Sequence, residues 1–356
     1  MTGRALAVQG GLAALGLVVA YTTWQREPEG AIGDVLVVDA TKGEVKGVHF
    51  EDDNVTVDVD RASTGGEEGA WLRLKDKTPA VAVPPPAKPG QPPPPAPPKA
   101  KDKPLRELRG DEAADKLLAQ FAPFRSPRAF GVLDDKKMKE LGLDTSKKKL
   151  VVDLRGGKRE FSIGQPPQGN GESYLRDTKD GRIFLMPRSI LSDLQGASFR
   201  LVDKKLHVFK MPDVNRMTIA SAGKTRTFTV VTPPDLGYKL MPASTPDKAD
   251  EMARNWHDRI WHAFPTEVLG KGEAPAGGEP KVLARIEYFD GAKSLGWLEL
   301  GKGGSLESTD GSMSAPPLTD PAGGDLYARS EHTAGWVKIR NDPGTLAEAE
   351  KIAATP

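Results

Sequence analysis

The stretch from Leu150 to Pro187, LVVDLRGGKREFSIGQPPQGNGESYLRDTKDGRIFLMP, decides the fold. Leu150–Leu154 is a short apolar run that ends at two glycines, and Arg159–Ile163 alternates polar and apolar side chains up to Gly164. Because glycine tolerates the positive φ that a tight turn requires, these two runs predict a β-hairpin. Two further strands are expected, before and after the turn at Asp180-Gly181.

The same pattern returns in the second half of the chain. A hairpin is predicted over Val282–Leu300, turning at Asp290-Gly291, and the later features follow in the same order: a terminal glycine, Tyr-x-Arg, a turn glycine and a closing strand. The shared order predicts an internal duplication. The signature residues, for which recurrence favours a structural role, are Gly164, Tyr174 and Arg176 in the first copy and Gly301, Tyr327 and Arg329 in the second.

A helix is predicted before each copy. In the first, Asp111 is the expected cap of a helix over Glu112–Ala122. In the second, Thr245 is the expected cap and Pro246 occupies the first turn, ahead of an apolar stripe that reaches Phe264.

A hairpin is also expected upstream of each helix, at Val45–Val59 and at Val214–Val231. The sequence therefore predicts an α+β fold of two related units, each made of antiparallel β-hairpins packed with one helix, after an N-terminal transmembrane helix. The predicted divisions are an anchor or signal segment at 1–25, a first unit at 34–201, a second unit at 202–340 and a C-terminal tail at 341–356.

Residues 1–25 form an apolar leader. Its anchoring residues are Leu6, Leu12, Leu15, Leu17, Val18 and Val19. Twenty helical residues span about 30 Å, which matches the hydrocarbon thickness of a bilayer. Arg4 before the apolar run and Trp24 after it favour an inner-membrane, single-pass anchor, with the N-terminus in the cytoplasm and the bulk in the periplasm. The alternative is secretion after signal cleavage, since Val18-Val19-Ala20 offers a small-residue cleavage site.

Residues 79–104 hold twelve prolines and almost no large apolar side chain. Such a segment cannot bury a core, which predicts extended polyproline II or disorder. Comparison with the second copy suggests that it enlarges a loop inside the first unit, as a spacer or surface insertion. That hypothesis requires Val45–Val59 to pack with Leu150–Met186.

Composition excludes several classes of function. The formal net charge is +1 over 356 residues, so no field is present to recruit nucleic acid. The chain has no cysteine, which excludes disulfides, thiolate metal sites and thiol catalysis.

Motifs for catalysis or cofactor binding are incomplete. Gly223-Lys224-Thr225 lacks the first glycine of a phosphate loop and precedes a strand, so a hairpin turn is expected there. His257 and His262 are five residues apart, unlike the four-residue spacing of zinc-binding pairs on helices. We therefore predict no catalytic residue, no cofactor and no metal.

The order of several short motifs resembles a known family. The motifs are Ala114-Asp115, Leu141-Gly142-Leu143-Asp144, Ile163-Gly164 and Tyr174-Leu175-Arg176, preceded by the apolar leader. Together they are similar to the domain-of-unknown-function family numbered forty-three forty, associated with gliding-motility-type ABC transporter operons. The likeness is clearest over residues 110–201. It implies an envelope-facing accessory component of an ABC-type membrane system, and it carries over no activity or catalytic residue.

We expect an extracytoplasmic, membrane-anchored accessory or scaffold protein of a cell-envelope complex, with the membrane and other proteins as partners. The alternative is a module that binds envelope glycan or another ligand, which predicts an exposed aromatic groove around Trp297 and Trp336. The third class is a hydrolase, which requires a buried, convergent Ser, His and Asp cluster.

Overall fold

The computed structural model describes residues 32–64, 67–77, 104–165, 173–233, 237–275, 277–303, 325–340 and 344–355. The predicted anchor at 1–25, including Leu6, Leu12, Leu15, Leu17, Val18 and Val19, lies outside these ranges, as does nearly all of the proline-rich segment. Within the ranges described, no helix has the length and apolarity needed to cross a membrane.

The regular elements are given in chain order. The strands are β1 (Ile32–Val38), β2 (Val45–Glu51), β3 (Val55–Thr64), β4 (Glu67–Asp76), β5 (Arg106–Arg109), β6 (Phe124–Gly131), β7 (Lys149–Leu154), β8 (Gly157–Gly164), β9 (Ser173–Asp177), β10 (Ile183–Met186), β11 (Arg216–Ser221), β12 (Lys224–Val231), β13 (Lys239–Pro242), β14 (Pro265–Val268), β15 (Lys281–Asp290), β16 (Lys293–Lys302), β17 (Leu326–Ser330) and β18 (Val337–Ile339). The helices are α1 (Glu112–Ala119), α2 (Asp135–Glu140), α3 (Arg188–Gln195), α4 (Ala197–Arg200), α5 (Glu251–Trp261) and α6 (Thr345–Ala354), with a 3₁₀ turn at Met211–Asp213.

The described residues form two compact units. One holds the residues up to Asp60 together with Lys116–Gly196, and the other holds Arg61–Asp115 and the residues from Ala197 onward. Residues 61–115, which the sequence placed in the first unit, therefore group with the second. Hydrogen bonds explain this grouping in part, because the Lys271 amide donates to the Glu107 carbonyl of β5 at 2.8 Å.

The first unit contains antiparallel strands in the spatial order β1-β6-β10-β9-β8-β7-β2-β3. The β7–β8 hairpin forms as predicted, with Leu150 opposite Phe161. Residues opposite each other on paired strands point to the same face of the sheet, and both of these side chains are buried. Strand β2 pairs with β7, with Val48 opposite Val152, so the predicted packing of Val45–Val59 with Leu150–Met186 is confirmed.

The second unit contains an eight-stranded antiparallel sheet in the order β13-β12-β11-β15-β16-β17-β18-β14. Its apolar face includes Ile219, Ile286 and Leu298, which are directly opposite one another on neighbouring strands. Trp256 of α5 is buried in the same core cluster. The predicted α+β class, dominated by antiparallel sheet with a few helices, is thus confirmed.

Strand order is the same in the two units. The spatial series β6-β10-β9-β8-β7-β2-β3 corresponds, strand by strand, to β14-β18-β17-β16-β15-β11-β12. Corresponding strands also come in the same order along the chain. A helix precedes each set, with α1 before β6 and α5 before β14. This order is what the predicted internal duplication requires.

The signature residues occupy equivalent places in the two hairpins. Gly164 pairs with Tyr174 across β8 and β9, and Gly301 pairs with Tyr327 across β16 and β17. The signature arginines are also equivalent in register: Arg176 is opposite Ser162, and Arg329 is opposite Glu299.

Helix ends differ from the prediction. The cap of α5 is Asp250, whose carboxylate accepts the Ala253 N–H at 2.9 Å, so the predicted cap at Thr245 is wrong. Asp250 also binds Arg226 at 2.6 Å, a long-range ion pair that fixes the helix start. Asp111 does cap α1, accepting the Ala113 N–H at 2.8 Å, but the helix ends at Ala119.

The predicted C-terminal tail contains helix α6, which is part of the second core. Its Ala349 and Ile352 are fully buried. The Trp256 indole N–H donates to the Thr345 carbonyl at the start of this helix, at 2.8 Å.

Replacement of Gly164 by alanine is expected to destabilise the first unit. A Cβ at Gly164 would overlap the Leu141 carbonyl oxygen and the Leu143 side chain, whereas a Cβ at Gly156 in the β7–β8 turn would meet no atom within 4 Å. Overpacking of this kind costs about 1–3 kcal/mol. Urea unfolding should show that loss for Gly164→Ala and little change for Gly156→Ala. Equal stability of the two variants would contradict the close approach at Gly164.

Candidate ligand-binding site

A pocket of about 420 Å³ lies in the second unit. Two segments form it: the linker after α4 and the C-terminal end of α5. We call it the linker pocket, and its lining residues are Lys204, Lys205, Leu206, His207, Phe209, Lys210, Met211, Trp261, His262, Ala263 and Phe264. Its volume falls within the range of small-ligand sites.

Buried polar bonds fix the linker in place. The Ser330 hydroxyl donates to the Leu206 carbonyl, and the His332 Nε2 atom lies 2.8 Å from the Asp203 carboxylate. Burial alone would raise the pKa of Asp203, but hydrogen bonds from His332 and from the Lys205 amide outweigh it and lower that pKa. These bonds hold the adjoining lysines in a defined position.

Aromatic rings form one wall of the linker pocket. The His207 ring stacks on Trp261 with centroids 5.0 Å apart, and it also contacts Phe209 and Tyr288. Its Nδ1 atom lies 3.2 Å from a Glu331 carboxylate oxygen. The other ring nitrogen, Nε2, is buried and finds no hydrogen-bond partner among the described residues, and the side chain is only 4% exposed.

A buried histidine lies behind this wall. His257 has its Nδ1 atom 2.7 Å from the Tyr238 hydroxyl and its Nε2 atom 3.0 Å from the Tyr288 hydroxyl. Burial, with smaller contributions from His207 and His262, lowers the pKa of His257 to about 3. Burial also raises the pKa of both tyrosines. All three groups are therefore neutral near pH 7, and one ring nitrogen donates while the other accepts.

Ser330, His332 and Asp203 are the residue types of a hydrolase triad, but their geometry differs. The Ser330 oxygen accepts the backbone N–H groups of His332 and Thr333, at 3.2 and 3.3 Å, while its hydroxyl donates to a carbonyl. No hydrogen bond among the described residues joins this hydroxyl to the His332 ring. A serine nucleophile needs that bond to lose its proton, so the role of this cluster is to hold the linker in place.

The signature residues do not line the linker pocket. Tyr174 packs edge-on against Phe130 at 5.5 Å, whereas Arg329 binds Glu299 at 2.8 Å. Glu299 also binds Arg285 at 2.6 Å, so an Arg–Glu–Arg row crosses three strands of the second sheet. Ser162 stands at the equivalent position in the first unit, and the row is therefore particular to the second copy.

The two tryptophans proposed as a glycan groove are not exposed together. Trp336 is 2% exposed and donates its indole N–H to Glu279 at 2.6 Å. Trp297 is half-buried beneath the Arg285 guanidinium, 4.8 Å from its ring centre. Any stacking surface for a sugar would have to use Trp297 alone.

The remaining motifs have structural placements. Residues Ala222 and Gly223 make the β11–β12 turn with positive φ, as expected for a hairpin in place of a phosphate loop. Over the ranges that the structure describes, no three His, Asp or Glu side chains come together in a way that would hold a metal ion.

Sequence reasoning missed the linker pocket. The residues from Ala197 to Arg216 include five cationic and two acidic side chains, interspersed with three aromatic residues if His207 is counted with Phe199 and Phe209. This excess of cationic side chains is the feature of the sequence that could have indicated a binding site for an anion. The second wall comes from α5, and only the fold shows that the two segments meet.

Replacement of His257 by glutamine is expected to weaken the dependence of the free energy of unfolding on pH below about pH 6.5. The pKa of His257 is 6.5 as an ordinary histidine and about 3 in the folded chain. Between those values only the unfolded state binds the proton, so the free energy of unfolding falls as the pH decreases, by about 1.4 kcal/mol per pH unit. The contribution is fully present above about pH 6.5.

Urea unfolding of wild type and His257→Gln between about pH 7 and pH 4 measures this difference. His262→Gln is the matched control, because that ring is 69% exposed on the same helix end. It should keep the wild-type slope. The same slope in His257→Gln as in wild type would contradict the buried, neutral histidine.

Comparison with known proteins supports the family likeness over part of the chain. Residues 102–258 match the model of the family described as "Domain of unknown function (DUF4340)". No curated protein and no solved structure gives a significant match. The matched segment includes Ala114-Asp115, Gly164, Tyr174 and Arg176, the motifs on which the resemblance was based. Over residues 102–258 this chain therefore resembles the DUF4340 family, as its motif order predicts.

Proposed function

We propose that this chain is a non-enzymatic accessory or scaffold protein of a cell-envelope complex, associated with an ABC-type transporter system. In this proposal the apolar leader holds it in the inner membrane as a single pass, and the two units lie in the periplasm. The proposal rests on the family resemblance, which implies such a role; the match over residues 102–258 supports the resemblance and is silent on the role. We also infer that the two units arose by duplication, on the basis of their common strand order.

The observation that carries the non-enzymatic role is the use of the reactive side chains in structural bonds. Ser330 binds backbone groups, His332 pairs with Asp203, and His257 is enclosed by two tyrosine hydroxyls. A hydrolase needs such groups to converge on a site open to substrate. These bonds favour a protein that binds over one that catalyses.

A ligand-binding module is the second candidate. The linker pocket favours it, since it combines aromatic walls with lysines in a fixed linker. Burial of Trp336 makes glycan binding at the Trp297–Trp336 face the weaker form of this candidate.

Co-purification tests the scaffold proposal. The full chain, tagged at its C-terminus and cross-linked before detergent solubilisation of the membranes, is expected to recover integral ABC transporter subunits, identified by mass spectrometry. A chain without residues 1–25 is the control and should lose that recovery, since it lacks the anchor. Recovery of the full chain alone, unprocessed and in the soluble fraction, would contradict both the anchor and the complex.

A further inference from the structure

We propose that the linker pocket binds the phosphate-bearing headgroup of an anionic phospholipid, while exposed apolar residues at its rim contact the acyl chains. This inference rests on the ligand-binding candidate above and specifies its ligand class. It does not depend on the transporter association.

The charge of the linker pocket suits a phosphate. Lys204, Lys205 and Lys210 line it, and none of its lining residues in the described part of the chain is acidic. Lys205 lies 3.8 Å from Glu112 in a largely exposed pair, which contributes little. Lys210 forms no ion pair within the described ranges. These ammonium groups are therefore available to an anionic ligand.

Carboxylates close to the linker pocket already have partners. Glu331 accepts from the Trp297 amide at 2.7 Å and pairs with His207. Asp258 lies 3.5 Å from the ring of His262, and Asp213 accepts the Lys210 amide at 3.0 Å. These carboxylates keep their charge but lie outside the lining, so the charged groups nearest a ligand in the pocket are the three lysines.

The rim of the linker pocket is unusually apolar for an exposed surface. Phe199, Val208 and Phe264 are 70%, 55% and 65% exposed. Phe264 lines the pocket, the Lys204 ammonium lies 3.5 Å from the centre of the Phe199 ring, and Val208 follows His207 in the linker. Exposed aromatic and aliphatic side chains beside lysines are typical of surfaces that meet the interface of an anionic membrane.

His207 gives an independent indication that a ligand is bound. It lines the linker pocket, its side chain is 4% exposed, and its Nε2 atom has no partner among the described residues. A buried polar atom without a hydrogen bond is costly, and native structures rarely keep one. Because the Nε2 atom is also closed to solvent, a phosphate oxygen or a headgroup hydroxyl would satisfy it after a small displacement of the ring towards the pocket.

A lipid explains these features together. A free inorganic anion would use the lysines and leave the apolar rim exposed. A neutral lipid or an uncharged sugar would leave the lysines without a counter-charge. An anionic phospholipid brings a phosphate, hydroxyl groups and acyl chains in one molecule.

Native mass spectrometry of the full chain in a neutral detergent tests the proposal. Phosphatidylglycerol should give a saturable one-to-one adduct, and phosphatidylcholine should bind at least about tenfold more weakly. The double variant Lys204→Gln/Lys210→Gln should lose about tenfold or more of the phosphatidylglycerol affinity. Lys281→Gln/Lys293→Gln, which changes two exposed lysines elsewhere in the second unit, should keep the wild-type affinity.

A second variant distinguishes loss of lipid binding from loss of folding. Phe264→Ser changes a side chain that is 65% exposed, so the melting temperature should stay close to that of wild type while phosphatidylglycerol binding weakens. Inorganic phosphate and glycerol phosphate serve as headgroup-only ligands. Binding of either one as tightly as phosphatidylglycerol, equal binding of phosphatidylcholine, or unchanged lipid binding in both pocket variants would overturn the proposal. None of these results would alter recovery of transporter subunits, so the two proposals fail separately.

Discussion

Close packing against a glycine near the end of a strand is the constraint on which the pairing of β8 with β9, and of β16 with β17, depends. At Gly164 the space of a missing Cβ is filled by the Leu141 carbonyl and by Leu143, and at Gly301 it is filled by Pro280 and Trp336. At Gly164 the approaching atoms belong to a segment that crosses the strand end, whereas at Gly301 they are side-chain atoms and the carbonyl of the paired strand β15. In both places a tyrosine is opposite the glycine on the next strand. A larger residue at Gly164 would push the Leu141–Leu143 segment away, and one at Gly301 would press on Pro280 and the Trp336 ring.

This packing also gives physical meaning to the family motifs. The Leu141-Gly142-Leu143 step and the Ile163-Gly164 end of β8 are separated in sequence, yet they contact each other in the fold. Gly142 has φ of +63° and also lies against the Gln165 backbone. In this chain each motif leaves room for the other.

The second copy has the strand order of the first but carries a charged side chain at a register position where the first has a neutral one. Glu299 stands at the register position held by Ser162 in the first copy, and it joins Arg285 and Arg329 in a row across the sheet. The linker before this copy is fixed by Asp203, Leu206 and the β17–β18 segment. The polar groups of the second unit thus serve first to position the linker, and the positioned linker then supplies lysines and aromatic rings to one pocket.

Local patterns predicted much of this architecture, and long-range contacts explain the rest. Alternation and glycine turns predicted the β7–β8 and β15–β16 hairpins because neighbouring residues alone determine such turns. The start of α5 was misplaced because Thr245 and Asp250 both have the side chain of a cap, and the ion pair with Arg226 from β12 distinguishes them. The linker pocket had no periodic signal, since its walls are about fifty residues apart in sequence.

The grouping of residues 61–115 with the second unit has a similar cause. Arg106 binds Glu273 at 2.9 Å, a contact between residues that are 167 positions apart. No local pattern in either segment indicates the other.

The central claim is that both units carry the same hairpin in the same register, and engineered disulfides test it most directly because the chain has no cysteine of its own. The account predicts that Ser162→Cys/Arg176→Cys and Glu299→Cys/Arg329→Cys each form an intramolecular disulfide, detected by mass spectrometry after mild oxidation. Pairs shifted by one residue, Ser162→Cys/Leu175→Cys and Glu299→Cys/Ala328→Cys, should stay reduced, since a one-residue shift places the side chains on opposite faces. Cross-linking of the shifted pair in either unit, with no cross-link in the aligned pair, would contradict the common register.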